Sequence, residues 1–449
     1  MVNDMSSKVD MINGSLKKNI ILFAIPVILT GVLQLFYNAC DLMVVGKFAG
    51  SKCVAAVGAT SSLISLMVCL FNGLSVGVNV LAAQFFGAKN EEKFQKNLHT
   101  SILLSIICGI GIAIIAIFTS RACLAMMNTP EDIIDLSTIY MKIYFIGIPG
   151  TMVYNFGSAV LRAQGNSRHP LIFLTISGIV NVILNVILVT LFHLSVEGVA
   201  IATAVAQYLS AFFIIRYLYK YNGLKFKKLK IDLKILKNII LIGVPSGING
   251  ICFSFANMQI QSAVNIFGSL AVSGSAASAS IEGFVYISMN AMQQAALNFT
   301  GQNYGAGKID NIDKVVKISL LYVTIIGMTL SAIMLVFKRP LFSLYLTDSV
   351  SIDYGILRMN AVLYVYFICG CMEVMIGVLR GLGYSTLPMI ISVGGICGLR
   401  VLWIETIFRK YTTLSVLYLS WPVSWIVTII PIIISYIVIR KKLSVTAVI

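Results

Sequence analysis

The segment from residue 26 to residue 50 reads PVILTGVLQLFYNACDLMVVGKFAG. It is apolar and long enough, as a helix, to cross the ~30 Å hydrocarbon core of a bilayer. Its one carboxylate, Asp41, costs roughly 2.5–3.5 kcal/mol in hydrocarbon even on insertion scales. Gln34, Asn38 and Asp41 recur at helical spacing, so they share one face beside Tyr37. A membrane charge of this kind usually faces a cavity, and we expect this face to bind a ligand.

The composition of the whole chain is that of a multi-pass membrane protein. Of its 449 residues, 58% are hydrophobic and 11% are charged, and the mean hydropathy is +0.92. An even number of spans puts both termini on one side of the membrane. We predict twelve spans near 18–45, 54–82, 98–120, 136–161, 170–193, 196–219, 237–263, 270–300, 315–337, 356–380, 387–408 and 413–439.

Lys and Arg predict which side holds the termini. Of the 33 cations, 23 fall on the side of the termini, nine fall on the opposite side, and Arg400 alone lies within a span. Cytoplasmic loops carry the excess of Lys and Arg, so we expect both termini in the cytoplasm. The same asymmetry explains the net charge of +16, and we expect no nucleic-acid partner. The nine cysteines have no metal or disulfide spacing and are interpreted as small hydrophobic residues.

The second half of the chain repeats landmarks of the first half. The blocks Gln84–Ala88 and Val160–Pro170 recur, both 218 positions later, as Gln302–Ala306 and Val378–Pro388. Six helices in each half make both halves insert in the same direction, as in secondary transporters built from parallel repeats. We therefore predict an all-α membrane protein with twelve transmembrane helices in two pseudo-symmetric six-helix bundles. The expected boundaries are a tail (1–17), an N-terminal bundle (18–219), a basic linker (220–236), a C-terminal bundle (237–439) and a tail (440–449).

Several ordered blocks cover the chain from about residue 15 to residue 440. They are Tyr37-Asn38 to Asp41, Ala83-Gln84 to Gly87-Ala88, Leu161-Arg162 to Gly165, Asn181 to Asn185, Gly198 to Thr203, Gly301-Gln302 to Ala306, Leu379-Arg380 to Gly383, Arg400 to Trp403 and Trp421-Pro422 to Trp425. In their order and spacing, these blocks resemble the multidrug and toxic compound extrusion (MATE) family of the MOP superfamily. The resemblance implies two bundles that rock between inward-open and outward-open states. It also implies export of organic cations or amphipathic toxins in exchange for H+ or Na+, with Asp41 as the coupling carboxylate.

Polar residues on three helices form the candidate coupling site of the first half. Asn181, Asn185 and Thr203 lie at a depth similar to that of Asp41, roughly 8–12 Å from the outer helix ends. A carboxylate with two amides and a hydroxyl suits either a proton or Na+, and we expect no other cofactor or metal. Many family members carry an aspartate in place of Asn185, so Asp41 is expected to titrate alone. The amides and the hydroxyl could instead be interhelical hydrogen-bond partners.

The second half adds one coupling candidate, Glu282, near mid-depth of the eighth helix. Its alternative role is a structural pair, with Arg400 as the candidate partner. Glu405 lies one turn from Arg409 and is interpreted as structural. The expected substrate-binding residues are Gln34, Tyr37, Asn38, Asn257, Gln261, Tyr286, Asn290, Glu373 and Arg400.

The sequence thus predicts a secondary active exporter of cationic or amphipathic small molecules, monomeric in the bilayer of a bacterial cytoplasmic membrane. No GxxxxGK[ST] loop is present, so ATP is not expected to drive it directly, and no catalytic constellation predicts an enzyme. A lipid-linked sugar flippase of the same superfamily is the alternative. The charges assigned to spans are four acids against Arg400, and this acidic excess favours cationic cargo. A channel is a third hypothesis, against which the two-fold repeat argues.

Overall fold

The computed structural model describes residues 8–127 and 129–446, and in these residues helices are the only regular secondary structure. In the first half they are α1 (Leu16–Phe48), α2 (Ser51–Gly87), α3 (Glu91–Met126), α4 (Glu131–Ala163), α5 (Arg168–Thr190) and α6 (Val196–Tyr221). In the second half they are α7 (Leu233–Asn265), α8 (Ser269–Gly305), α9 (Ile309–Val336), α10 (Lys338–Ser343), α11 (Ser349–Leu363), α12 (Tyr366–Gly381), α13 (Thr386–Ser392), α14 (Leu399–Trp403) and α15 (Leu414–Thr446).

The predicted all-α membrane fold is confirmed. Within the described ranges, eleven helices are long and apolar enough to cross a membrane, or twelve if the bent pair α11–α12 counts as one span. The apolar runs end in short connections such as the one between α2 and α3, where Asn90 caps α3 by accepting from the Lys93 N–H at 3.0 Å. The chain is a multi-pass membrane protein.

The tenth span departs from its prediction. We expected one unbroken helix over 356–380, but α11 and α12 meet at an angle of 49°. Val365 between them has φ −123° and ψ 12°, outside the α-helical region, in a run of aromatic and β-branched residues with low helix propensity. The span also begins earlier than predicted, at Ser349, so Arg358 lies well inside a helix.

The eleventh span, Thr386–Phe408, has an irregular backbone on both sides of α14. Two π-helical segments, Val393–Gly398 and Ile404–Phe408, flank it. The first contains three glycines, which disfavour regular helix. At Gly395 a Cβ would lie 2.3 Å from Oγ1 of Thr428, so α15 approaches too closely for any larger residue. The five residues of α14 carry Arg400 between these two segments.

The chain forms two compact units whose boundaries fall inside helices. The first unit contains Ile25–Gly247, and the second contains Met11–Ala24 together with the chain from Ile248 onward. The boundaries in α1 and α7 lie beside Pro26 and Pro245, which remove a helical hydrogen bond.

These units differ from the expected bundles, which begin at residues 18 and 237. Residues 18–24 belong to the second unit, and residues 237–247 belong to the first. Phe23 packs edge-on against Phe299, with ring centroids 6.1 Å apart. In the first unit, α2 and α7 meet through glycines: a Cβ on Gly73 would lie 2.2 Å from the Gly247 nitrogen. Small residues four apart let the two backbones approach this closely.

Candidate functional site

The first unit contains a cavity of about 290 Å³. The helix 1 face predicted from spacing lines it: Gln34, Tyr37, Asn38 and Asp41 all contribute. The rest of the wall comes from α2, α4, α5 and α6. The further lining residues are Val68, Asn72, Tyr140, Tyr144, Thr151, Tyr154, Asn155, Leu174, Ser177, Gly178, Asn181, Thr203, Ala206, Gln207 and Ser210.

Asp41 is the only acidic residue that lines this cavity, among the residues that the structure describes. The amide nitrogen of Asn185 donates to Asp41 Oδ1. With the Asn181 amide turned so that its nitrogen faces Asp41, that nitrogen donates to the same oxygen at 3.0 Å, and the amide oxygen accepts from the Thr203 N–H at 3.3 Å. The structure thus brings together the four coupling candidates of the first half.

Two properties of this cluster matter for its chemistry. No ion pair within the described ranges includes Asp41, so its charge faces amides and not a cation. The amide oxygen of Asn185 is buried and has no hydrogen-bond partner in the part of the chain that the structure describes. A carboxylate oxygen and a free amide oxygen are hard ligands of the kind that Na+ accepts, and the carboxylate alone can accept a proton.

The rest of the cavity wall is aromatic and amide-rich. Tyr140 and Tyr144 stack with centroids 6.1 Å apart, and the amides of Asn72 and Asn155 are joined at 3.0 Å. Such a wall can hold a flat cationic ring by apolar contact and by cation–π attraction. Sequence reasoning missed all four residues, although the spacing of Tyr140 and Tyr144, one helical turn apart, was an available signal.

A glycine on α5 sets the position of Tyr37. A Cβ on Gly178 would lie 1.8 Å from Cζ of Tyr37, so the ring rests directly against the α5 backbone. The Tyr37 hydroxyl donates to the Thr175 carbonyl oxygen at 3.3 Å. The bare glycine surface therefore holds the ring at the cavity wall.

In the second unit, Glu282 pairs with Arg358. Nε and Nη2 of Arg358 donate to the two Glu282 oxygens at 3.1 and 2.9 Å, and Ser278 donates to Oε1 at 2.7 Å. Arg400 as the partner of Glu282 was therefore wrong. Arg358, expected near the start of the predicted span 356–380, lies well inside a helix because α11 begins at Ser349. The pair also cancels part of the acidic excess on which the argument for cationic cargo depended.

Arg400 and Asn257, two of the expected substrate-binding residues, lie together. Nη1 of Arg400 donates to Asn257 Oδ1 at 3.4 Å, and Nε donates to Ser424 Oγ at 3.1 Å. The Arg400 guanidinium lies 5.8 Å from the Trp421 ring centroid and 5.9 Å from that of Phe253. Arg400 is 1% exposed.

The remaining candidates form a separate chain of amides. Gln293, which the sequence did not single out as a binding residue, donates to Glu373 and accepts from Asn290 at 3.3 Å. Tyr286 lies one turn before Asn290 on α8 and is 37% exposed. Gln261 instead donates to Asn265 on its own helix at 3.1 Å. The expected pair of Glu405 with Arg409 is confirmed at 2.6 Å.

Comparison with known proteins gives consistent matches along the chain. The family model described as MatE matches residues 26–187 and 245–403. The probable multidrug resistance protein YoeA of Bacillus subtilis is 28% identical over 96% of both chains. The probable multidrug resistance protein NorM of Thermotoga maritima is 23% identical over 84% of this chain and 82% of its own. A crystal structure of MATE in the bent conformation has a TM-score of 0.89 at 21% identity, covering 98% of this chain and 99% of the other.

Proposed function

The chain belongs to the MatE family, and from this premise we propose that it is a secondary active exporter of cationic or amphipathic small molecules, driven by H+ or Na+ in antiport. The relatives described above carry names that describe them as probable multidrug resistance proteins. The observation that carries the proposal is the cavity of the first unit, in which one carboxylate, without a cationic partner among the described residues, faces tyrosine rings and amides.

The cavity suits an organic cation. Its volume of about 290 Å³ is near the lower end of the range for small-molecule pockets. Asp41 supplies the charge, and the stacked rings of Tyr140 and Tyr144 supply a flat surface. A cationic amphipathic molecule would gain both contacts at once, whereas a neutral one would leave the carboxylate unpaired.

The same carboxylate would couple export to an ion gradient. A proton or Na+ on Asp41 neutralises the charge that holds the organic cation, so ion and drug favour different occupancies of one site. The site holds one ligand at a time, and each ligand would favour a different conformational state, so movement of one ligand would be coupled to movement of the other. The free Asn185 oxygen beside Asp41 supports Na+, and the shortage of other acidic ligands supports a proton, so both ions enter the test.

We also propose that both termini and the linker 220–236 are cytoplasmic, on the strength of their Lys and Arg excess. The linker is tied to α3 by backbone contacts. The Lys225 N–H donates to His99 Nε2 at 3.1 Å, and the Asp232 N–H donates to Thr100 Oγ1 at 3.0 Å. Such contacts would fix the basic segment at the membrane surface, where it would meet anionic lipid.

Reconstitution in liposomes with separate pH and Na+ gradients tests the proposal. Wild-type protein should move a fluorescent organic cation against its gradient when one of the two ions is supplied. Asp41→Asn should abolish this movement, because its side chain stays neutral throughout. Asp135→Asn is the matched control, since Asp135 is exposed and pairs with Arg121 at 2.6 Å. Normal coupled transport by Asp41→Asn would overturn the coupling assignment.

A lipid-linked sugar flippase remains the second candidate. The buried Arg400, which forms no ion pair among the described residues, is the observation that favours an anionic cargo. Growth of a flippase-deficient bacterial strain that depends on this chain would replace the exporter proposal with the flippase.

A further inference from the structure

We infer that Arg400 in the second unit is an anion-recognition site that binds the carboxylate of zwitterionic or anionic amphipathic substrates. The inference rests on the proposed export function and names a substrate class beyond organic cations. The observation behind it is a buried guanidinium that the protein surrounds with neutral groups.

The two neighbouring arginines of this unit differ in their charge partners. Arg358 and Arg400 both approach the Trp421 ring, at 4.5 and 5.8 Å from its centroid. Arg358 is neutralised by two bonds to Glu282. Arg400 contacts no carboxylate within 4 Å among the residues that the structure describes, although it is 1% exposed. A charge buried in a membrane span is normally paired, so an unpaired one is expected to have a partner that comes from outside the chain.

One neighbour of Arg400 lies at the surface of the unit. Asn257, which accepts from Nη1 at 3.4 Å, is exposed, so this end of the guanidinium lies next to the surface of the unit. On the other side, Ser424 holds Nε at 3.1 Å and fixes the plane of the group. Phe253 and Trp421 add aromatic surface within 6 Å. An aromatic ligand with an anionic group could therefore contact the guanidinium, the Asn257 amide and the two aromatic rings at the same time.

The backbone at Arg400 is a second, independent observation. α14 holds only five helical residues between two π-helical segments, Val393–Gly398 and Ile404–Phe408. π-segments interrupt the regular α-helical hydrogen bonding and are frequent at functional sites. A span needed only to cross the bilayer gains nothing from two of them, whereas a span that must present a guanidinium does.

The charge count selects a carboxylate over a phosphate dianion. A guanidinium binds either group through paired N–H donors. Because Arg358 is occupied by Glu282, Arg400 is the one uncompensated cation of this cluster in the described ranges. A single positive charge balances one carboxylate and would leave a phosphate dianion half neutralised.

Two rhodamine dyes that differ at one group test the inference: one has a free carboxylate, and the other is its methyl ester. Binding of each dye to purified full-length protein is measured by fluorescence anisotropy, and gradient-driven uptake is measured in liposomes. Wild type should bind both dyes. Arg400→Gln should weaken the carboxylate dye about 10- to 100-fold, as expected for loss of charged hydrogen bonds, and leave the ester within about twofold.

Asn257→Asp provides a variant that keeps the size of the side chain. The new carboxylate would stand where Asn257 Oδ1 already accepts from Arg400 at 3.4 Å, and would neutralise the guanidinium in place. Binding of the carboxylate dye should fall as in Arg400→Gln. Gln259→Glu is the control, since it adds the same charge to α7 on another face of the helix.

Equal weakening of both dyes, no change in either, or a wild type that ignores the carboxylate dye would overturn the inference. If Arg400→Gln fails to fold, Asn257→Asp decides alone. Failure of the proposed function looks different, because the wild type would then transport neither dye under any ion gradient.

Discussion

The buried pair of Glu282 and Arg358 permits a sharp test of whether a membrane carboxylate holds the fold or couples ions. We predict that Glu282→Leu and Arg358→Met each destabilise the protein strongly when made alone. Each leaves one uncompensated charge inside the second unit, where both side chains are nearly inaccessible, at 7% and 11% exposed. The double variant removes both charges and replaces them with apolar side chains of similar volume.

The contacts set the expected magnitude. Glu282→Leu would leave Nε and Nη2 of Arg358 without acceptors, while Nη1 keeps its 2.8 Å bond to Ser275 and the guanidinium keeps the Trp421 face at 4.5 Å. Breaking a buried pair on one side costs about 3–5 kcal/mol, whereas replacing the whole pair is often neutral or stabilising by about 1–4 kcal/mol. The two changes should therefore be strongly non-additive.

Apparent melting temperature in detergent, followed by size-exclusion fluorescence, measures the stability of the two single variants and the double variant. Liposome transport by the double variant then separates the two roles. A double variant that recovers both stability and gradient-driven transport identifies the pair as structural. Two results would contradict a structural role for the pair: additive losses of stability, or a double variant that folds as wild type but no longer couples, which would make Glu282 a coupling carboxylate.

Two further predictions concern glycines against which another backbone or an aromatic ring packs closely. Gly73→Leu should abolish folded protein on size-exclusion chromatography, because even a Cβ there would lie 2.2 Å from the Gly247 nitrogen; Gly111→Leu, where a Cβ meets nothing within 4 Å, should leave the elution profile unchanged. Gly178→Ala should displace the Tyr37 ring, since its Cβ would lie 1.8 Å from Cζ, and should weaken binding of the ester dye severalfold with little loss of folded protein. Unchanged dye affinity in Gly178→Ala would mean that Tyr37 does not shape the cavity.

The fold and part of the candidate site were predictable because their signals are local. Apolar length identifies the spans, and helical spacing places Gln34, Asn38 and Asp41 on one face, which the cavity confirms as a shared surface. Depth from the helix ends was enough to group Asp41 with Asn185, because α1 and α5 are both regular along this stretch.

The second half was harder to predict because its decisive features are not local. Residues 349–355 are too polar to have been included in the predicted span, yet they begin α11, and Arg358 on this helix is the partner of Glu282. The 49° bend and the two π-segments leave no periodic signature in the sequence. The pairing of arginines with acids therefore depends on the three-dimensional arrangement of the helices, which residue spacing in the sequence does not reveal.

The two halves of the sequence repeat do not coincide with the two folded units, because the unit boundaries lie inside α1 and α7. The sequence repeats at an offset of 218, but each unit includes half of a helix from the other repeat. The second unit includes residues 16–24 of α1, and the first unit includes residues 233–247 of α7. This exchange is domain swapping within a single chain. A cut in the basic linker would consequently leave neither fragment with a complete unit, and an isolated six-helix repeat would need a second copy to supply its missing half-helix.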